Sequence, residues 1–135
     1  MNTELKIESD LVSNTIDEQR EQLGLQLHEI LKECMGQVDL LTELIRLFKK
    51  NMLEFIGNVR VNIENEDVEK IGFASHKIKS SLRMMNIDSL LQIAIQIETV
   101  CKGDKDLKYI NFLYNQFVDE YPAIEAALDT ELSKL

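Results

Sequence analysis

The sequence predicts an all-α protein, an up-and-down antiparallel four-helix bundle with an additional N-terminal helix. Three observations lead to this fold class. Apolar residues recur at helical spacing along nearly all of the 135 residues. The chain holds one proline and five glycines, too few for a turn-rich β fold. The polar segments between the helical stretches are short, and short connections place consecutive helices side by side and antiparallel.

The first two helices are predicted over residues 9–34 and 38–63. Gly24 is a candidate break in the first helix, and Met35 with Gly36 provides a stop. The polar residues 62–67 form the next connection. We therefore expect an N-terminal helical segment, residues 1–36, that packs on a bundle formed by residues 37–135. The apolar members of the two helices are Leu11, Ile16, Leu23, Leu27, Ile30 and Leu31 in the first, and Leu41, Leu44, Ile45, Phe48, Met52, Phe55, Ile56 and Val59 in the second.

The third helix, predicted over residues 67–85, has the clearest pattern. Its apolar seam alternates spacings of three and four, which is typical of a helix that faces a core. Asn86 follows, and asparagine is one of the few residues that tolerate the left-handed conformation in which helices end. The seam consists of Val68, Ile71, Ser75, Ile78, Leu82 and Met85.

Two further helices complete the predicted bundle. Asp88 is expected to cap the fourth helix and Gly103 to end it. Asp104 or Asp106 caps a fifth helix, which Pro122 is expected to kink or divide. The fourth helix has the seam Leu90 or Leu91, Ala94, Ile97 and Cys101, and the fifth carries Leu107, Ile110, Leu113, Tyr114, Phe117, Tyr121, Ile124 and Leu128.

Composition and charge argue against several classes of function. A net charge of −9 disfavours general binding to nucleic acid or to an anionic membrane surface. No apolar run approaches the roughly 18 residues of a membrane span, and the N-terminus lacks the pattern of a secretory signal. Cys34 and Cys101 lie far apart without metal-ligand spacing and are expected to be buried free thiols. These features predict a cytoplasmic protein, with a monomer as the default.

One positive patch stands out against this acidic background. Residues 70–87 contain no aspartate or glutamate, and they place four cations around His76. Such a setting favours an anionic group on the imidazole. The other histidine, His28, lies among glutamates without a cation cluster, and we interpret it as structural or neutral. The four cations of the patch are Lys70, Lys77, Lys79 and Arg83.

Helical geometry places His76 outside the core. Each residue advances by about 100° around the helix axis, so His76 points well away from the seam of the third helix. The outward side also carries cations, a small residue and two apolar side chains, which together are typical of a docking patch. We define the docking face as Phe73, Lys77, Ser80, Arg83 and Met84.

The chemistry that this arrangement allows is nucleophilic. A neutral imidazole nitrogen can attack a phosphoryl group and hold it as a phosphoramidate. Lys79, one turn further on, can pair with the phosphate oxygens, with Arg83 or Lys77 as weaker helpers. The chain has no phosphate-cradling glycine loop and no carboxylate cluster at ligand spacing, so we expect no ATP site and no metal site. A partner must then bring the Mg²⁺ and the donor or acceptor group.

Residues 74–81 resemble the phosphorylation motif of the histidine phosphotransfer (HPt) domains of multistep two-component signalling. In that family an exposed histidine on a helix is followed by an apolar residue at the second position and a lysine at the third, which Ile78 and Lys79 match. Residues 85–90, leading to Ile97 and Glu98, resemble the helix break and following helix of the family, and residues 47–56 its preceding helix. The similarity covers roughly residues 38–130.

The resemblance implies specific roles. His76 would be phosphorylated on a ring nitrogen, and Lys79 would stabilise the phosphoryl group. The donors and acceptors would be aspartates on response-regulator receiver domains, with a hybrid sensor histidine kinase as one candidate partner. The domain would be a phosphoryl carrier without ATP-dependent kinase activity. Ser80 and Asn86 stand where the family commonly has glycine, and the small Ser80 should still admit the active site of a partner.

Two other functions remain open on the sequence. A helical interaction module could bind a receiver domain or another signalling partner through Phe73, Lys77, Lys79 and Met84 without accepting phosphate. Intact binding with no acid-labile phosphate would favour this alternative. A small bundle enzyme with a general-base histidine is a third hypothesis, and it is weaker because the sequence places no second catalytic group beside His76.

Overall fold

The computed structural model describes the backbone of residues 2–135 and the side chains of residues 18–135. It contains five helices over the described residues, with no strand among them. The helices are α1 (Asn2–Glu33), α2 (Val38–Glu64), α3 (Val68–Met84), α4 (Asp88–Lys102) and α5 (Leu107–Ser133).

Helices α2 to α5 form the predicted up-and-down four-helix bundle. Helix α3 packs between α2 and α4, and α5 packs against both α4 and α2, which closes the bundle. Helix α1 lies outside this ring and packs mainly against α5. The prediction of an all-α bundle with an additional N-terminal helix is therefore confirmed.

The core lies where the apolar seams predict it. In α3 the residues Ile71, Ser75 and Leu82 are fully buried, and Met85 just beyond the helix is buried with them. The hydroxyl of Ser75 donates a hydrogen bond to the Ile71 carbonyl at 2.9 Å, so this polar residue is satisfied inside the core. The largest fully buried side chains are Phe48, Phe117, Leu27, Leu41, Ile45, Met52, Ile71, Leu82, Met85, Leu90, Ile97 and Ile110.

Helix α1 is longer and more regular than predicted. It begins at Asn2 and passes through Gly24 without a break. A Cβ atom at Gly24 would lie 2.8 Å from a carboxylate oxygen of Glu131, so this glycine permits close packing of α1 on α5. Leu27, Ile30 and Cys34 attach the helix to the core. The side chains of Leu11 and Ile16, which we assigned to the apolar stripe, lie outside the described residues.

The structure differs from the predicted helix ends and interruptions at three places. Asp88 does not cap α4, because Ile87 occupies the N-cap position and Asp88 is the first helical residue. Its carboxylate there complements the helix dipole instead. Pro122 does not divide α5, which is continuous from Leu107 to Ser133, and the alternative of a kink at Pro122 stays a prediction. The connection after α2 is also shorter than predicted, since Asn62 is a buried helical residue that donates a hydrogen bond to the Asn58 carbonyl.

Other ends follow the prediction. Gly103 occupies the C-cap position of α4. Asp106, rather than Asp104, caps α5 and accepts hydrogen bonds from the backbone N–H groups of Lys108 and Tyr109. Asn86 adopts the left-handed conformation, with φ of 54°. Each of the four helix connections contains one non-glycine residue with a positive φ angle, the others being Met35, Glu66 and Lys105.

Replacing Glu66 by glycine should stabilise the fold. Glu66 is exposed and has φ of 55°, a conformation that strains an L-residue with a Cβ atom. Relief of that strain should raise the free energy of unfolding in urea by about 0.5–1 kcal/mol. Asn86→Gly is the matched control and should gain less, because asparagine already tolerates this conformation. Equal gains at the two positions would contradict the explanation.

Candidate functional site

His76 lies on the outer surface of α3, with 66% of its side chain exposed. The position follows from the burial of its neighbours, because Ser75 and Ile78 face the core on either side of it. Helix α3 is fixed at its start by Asp67, whose carboxylate accepts a hydrogen bond from the backbone N–H of Lys70. His76 is therefore an exposed side chain on a helix whose position is fixed by its buried face and its capped start.

A buried carboxylate on the next helix contacts His76. Glu98 on α4 is 93% buried, and its Oε2 atom lies 2.6 Å from His76 Nδ1. Its other oxygen, Oε1, accepts a hydrogen bond from Lys79 Nζ at 2.7 Å. A carboxylate can only accept, so Nδ1 of His76 carries the proton in this bond. The lone pair of the neutral ring is then on Nε2, the nitrogen that Glu98 does not engage.

Glu98 is ionised in this environment. Burial raises the pKa of its carboxyl group, but the hydrogen bonds from Lys79 and His76 and the charges of Lys79 and Lys102 outweigh burial and hold the pKa below its ordinary value of 4.5. Lys102 contributes from one turn further along α4, with its Nζ atom 3.7 Å from Glu98 Oε2. The buried carboxylate of Glu98 thus holds three side chains around it, those of His76, Lys79 and Lys102.

Helices α3 and α4 approach closely beside this group. A Cβ atom at Gly72 would lie 3.0 Å from the Cβ atom of Cys101, a distance that leaves little room for any larger residue. This approach lies one turn from both His76 and Glu98, and it brings the carboxylate within reach of the imidazole. Cys101 itself is inert at neutral pH, because burial and the charge of Glu98 raise the pKa of its thiol to about 11.

The residues of the docking face are all exposed, but they lie on different sides of α3. Phe73 is 73% exposed and Met84 43% exposed. Phe73, Lys77 and Ser80 line a groove of about 650 Å³ between α2 and α3. His76 opens on the other side, into a shallow depression between α3 and α4 that it shares with Phe73 and Glu98. Phe73 borders both surfaces, whereas Arg83 and Met84 lie outside both.

The comparison with protein families decides the assignment. The model of the Hpt domain matches residues 43–133, about two thirds of the chain. The chain belongs to the Hpt domain family. No curated protein and no solved structure matches it. Hpt domains are phosphoryl carriers of two-component phosphorelays, so this chain takes part in histidine phosphotransfer signalling.

The Hpt match contains α3, α4 and α5 complete, and therefore His76, Lys79 and Glu98. It begins inside α2, so α1 lies outside the matched region. The division of the chain at residue 36 stays a prediction. Among the described residues no helix of this Hpt protein is long and apolar enough to cross a membrane. The same part of the chain holds no group of three or more histidine, cysteine or acidic side chains that could bind a metal ion.

Sequence reasoning missed the role of Glu98 in this Hpt domain. Glu98 entered only as part of the family resemblance, without a contact assigned to it. A signal was available, because Glu98 follows Ile97 and precedes Cys101 by one turn, on the apolar side of α4. An acidic residue on a buried face needs a cationic or hydrogen-bonding partner. Its partner could not be named from the sequence, since His76 is 22 positions away.

Proposed function

We propose that His76 accepts a phosphoryl group from an aspartate of one receiver domain and passes it to an aspartate of another. The observation that carries this proposal is the contact between Glu98 and Nδ1 of His76. The contact leaves Nε2 as the nucleophilic nitrogen of an exposed side chain. A histidine so arranged is fixed in tautomer yet accessible to a protein partner.

The transfer step balances without any group from this chain beyond the imidazole. The Nε2 lone pair attacks the phosphorus atom of the aspartyl phosphate, a P–N bond forms, and the P–O bond to the aspartate breaks. The aspartate leaves as a carboxylate, and the phosphorylated ring becomes cationic. Glu98 supports this cation through Nδ1, as a carboxylate does for a histidine in other nucleophilic sites. Transfer onward is the same step reversed, with Mg²⁺ supplied by the receiver domain.

Positive charge around His76 supports the phosphorylated form. Lys79 is the residue that we propose for phosphate stabilisation, and its ammonium group lies on the same carboxylate as the imidazole. Lys77 and Arg83 are exposed on the docking face and extend the positive field towards a partner. Receiver active sites carry the aspartates that accept the phosphoryl group, so opposite charges meet in the complex.

The partners that we propose are receiver domains, including one on a hybrid sensor kinase, and the compartment is the cytoplasm. The test is transfer of label from a phosphorylated receiver domain to the purified protein. Acid-labile, base-stable label on the wild type would support the carrier function. Receiver binding without such label would instead favour an interaction module that docks on the groove between α2 and α3.

Ser80 should control access to His76. It lies one turn beyond His76 on the exposed side of α3, and its hydroxyl donates a hydrogen bond within the helix, to the Lys77 carbonyl. Ser80→Phe should reduce the rate of transfer at least about tenfold by blocking docking, with helicity and thermal unfolding unchanged.

Ser80→Gly is the matched control for the bulky change. It removes atoms from the docking face, so the rate of transfer should be preserved or increased. Glycine lowers helix stability by about 1 kcal/mol, which is too little to unfold the bundle. Undiminished transfer by Ser80→Phe would mean that the partner does not approach over this part of α3.

A further inference from the structure

We propose that Lys102 is the cation that pairs directly with the phosphoryl group on His76. This inference rests on the proposed function, since it requires a phosphorylated His76. Lys102 lies on α4, one turn after Glu98, and lines the same shallow depression as His76. Its Nζ atom is 3.7 Å from Glu98 Oε2, the oxygen that also contacts His76 Nδ1. Lys102 and the imidazole of His76 therefore lie on either side of the same carboxylate oxygen.

Lys79 is poorly placed to move to the phosphoryl group. Only 14% of its side chain is exposed, and its Nζ atom is 2.7 Å from Glu98 Oε1. If Lys79 moved away, the buried carboxylate of Glu98 would lose a charged hydrogen-bond donor. Leaving a buried charge uncompensated in this way costs much free energy. Lys79 therefore stays on Glu98 and supports the phosphorylated state by its charge from there.

Lys102 is held much less tightly. Its side chain is 72% exposed, and its 3.7 Å separation from Oε2 is too long for a hydrogen bond. An ion pair with an exposed lysine at this distance contributes little to stability, so its loss is easily offset. Lysine has a flexible four-carbon stem, and its ammonium group can reorient from Oε2 to a neighbouring phosphoryl oxygen. The new pair is charge-assisted on both sides and therefore stronger than the one it replaces.

The exchange also relieves a repulsion. Phosphorylation places two further negative charges near the carboxylate of Glu98, and like charges at short range raise each other's energy. A cation that can move between the two groups compensates the new charge without leaving the depression. Lys105 borders the same depression but forms no ion pair with Glu98 among the described residues, and Lys70 pairs instead with Asp67.

The equilibrium of phosphoryl transfer tests this role. A receiver domain and the protein are mixed, and the label on aspartate and on His76 is quantified once it no longer changes with time. Lys102→Gln should shift this equilibrium about fivefold towards the receiver, because the phosphohistidine loses a stronger ion pair than the unphosphorylated protein loses at Glu98. Lys102→Arg keeps the positive charge and should therefore restore most of the wild-type equilibrium. A docking residue alters the rate of approach but leaves the equilibrium between separated partners unchanged, so the readout separates the two roles.

Lys70→Gln is the control. Lys70 matches Lys102 in its 72% exposure and its 3.7 Å separation from a carboxylate, but it lies away from the depression. Its replacement should leave the equilibrium unchanged. Equal equilibria for wild type and Lys102→Gln, or a change in rate alone, would overturn the role of Lys102 while leaving the carrier function intact. Absence of label on the wild type would overturn the proposed function itself, and this inference with it.

Discussion

His76→Gln should abolish phosphorylation of this protein by a phosphorylated receiver domain. An amide nitrogen has no nucleophilic lone pair, so the P–N bond cannot form. The glutamine NH₂ group can still donate a hydrogen bond to Glu98, which preserves the packing of α3 against α4. We expect acid-labile, base-stable label on the wild type and less than about a hundredth of it on the variant, consistent with loss of the nucleophile.

His28→Gln is the matched control for this experiment. His28 is exposed on α1, outside the region of the Hpt match, and its replacement should leave the extent and rate of labelling unchanged. Circular dichroism should show the same helical content for both variants as for the wild type. Equal labelling of His76→Gln and wild type would mean that another residue accepts the phosphoryl group.

Glu98→Gln should impair both stability and transfer. The substitution keeps the shape of the side chain but removes the charge opposite Lys79, which is largely buried. We expect a loss of about 2 kcal/mol in the free energy of unfolding, measured in urea at pH 7. The rate of transfer to His76 should fall at least about tenfold, because the ring loses the carboxylate that fixes its tautomer and supports its positive charge.

The pH dependence of stability gives an independent signature of Glu98. Its pKa is lower in the folded protein than its ordinary value of 4.5, so the folded state favours the ionised form. The stability that Glu98 contributes is therefore fully present above pH 4.5 and is lost as pH falls through the lower, folded value. The difference in unfolding free energy between wild type and Glu98→Gln should accordingly shrink on acidification below about pH 4.5.

Glu69→Gln provides the comparison for Glu98. Glu69 is an exposed carboxylate that lines the same depression, but it makes no hydrogen bond to Lys79 or His76, both of which bond to Glu98 instead. Its replacement should change the unfolding free energy by no more than about 0.5 kcal/mol. A loss of stability from Glu98→Gln that matched that of Glu69→Gln would contradict the organising role of the buried carboxylate.

Much of the fold is predictable because local patterns and tertiary packing agree. The α3 seam is one example, since its three-and-four spacing places Ile71 and Leu82 in the core whatever the exact crossing angles. Asn86 and Gly103 end their helices for local reasons of backbone conformation. Such features depend only on residues that are close in the sequence, and they determine the number and order of the helices.

The errors arise where a local preference meets a longer-range interaction. Gly24 is a helix breaker by propensity, but its lack of a side chain admits Glu131 and lets α1 pack on α5. Pro122 removes one backbone hydrogen bond, yet Tyr121 and Leu128 are both buried and hold the two parts of α5 against the core. Asp88 is a good capping residue, but the chain places Ile87 at the cap and buries its side chain.

The sequence by itself determined the helical bundle and the exposed histidine with its positive surroundings, because helical periodicity and charge are properties of adjacent residues. The tertiary structure alone decided which nitrogen of His76 is engaged and which cations are held or free. Those properties depend on Glu98, which reaches α3 only because α3 and α4 approach closely at Gly72 and Cys101. A contact between helices is set by packing, and packing is a property of the whole core.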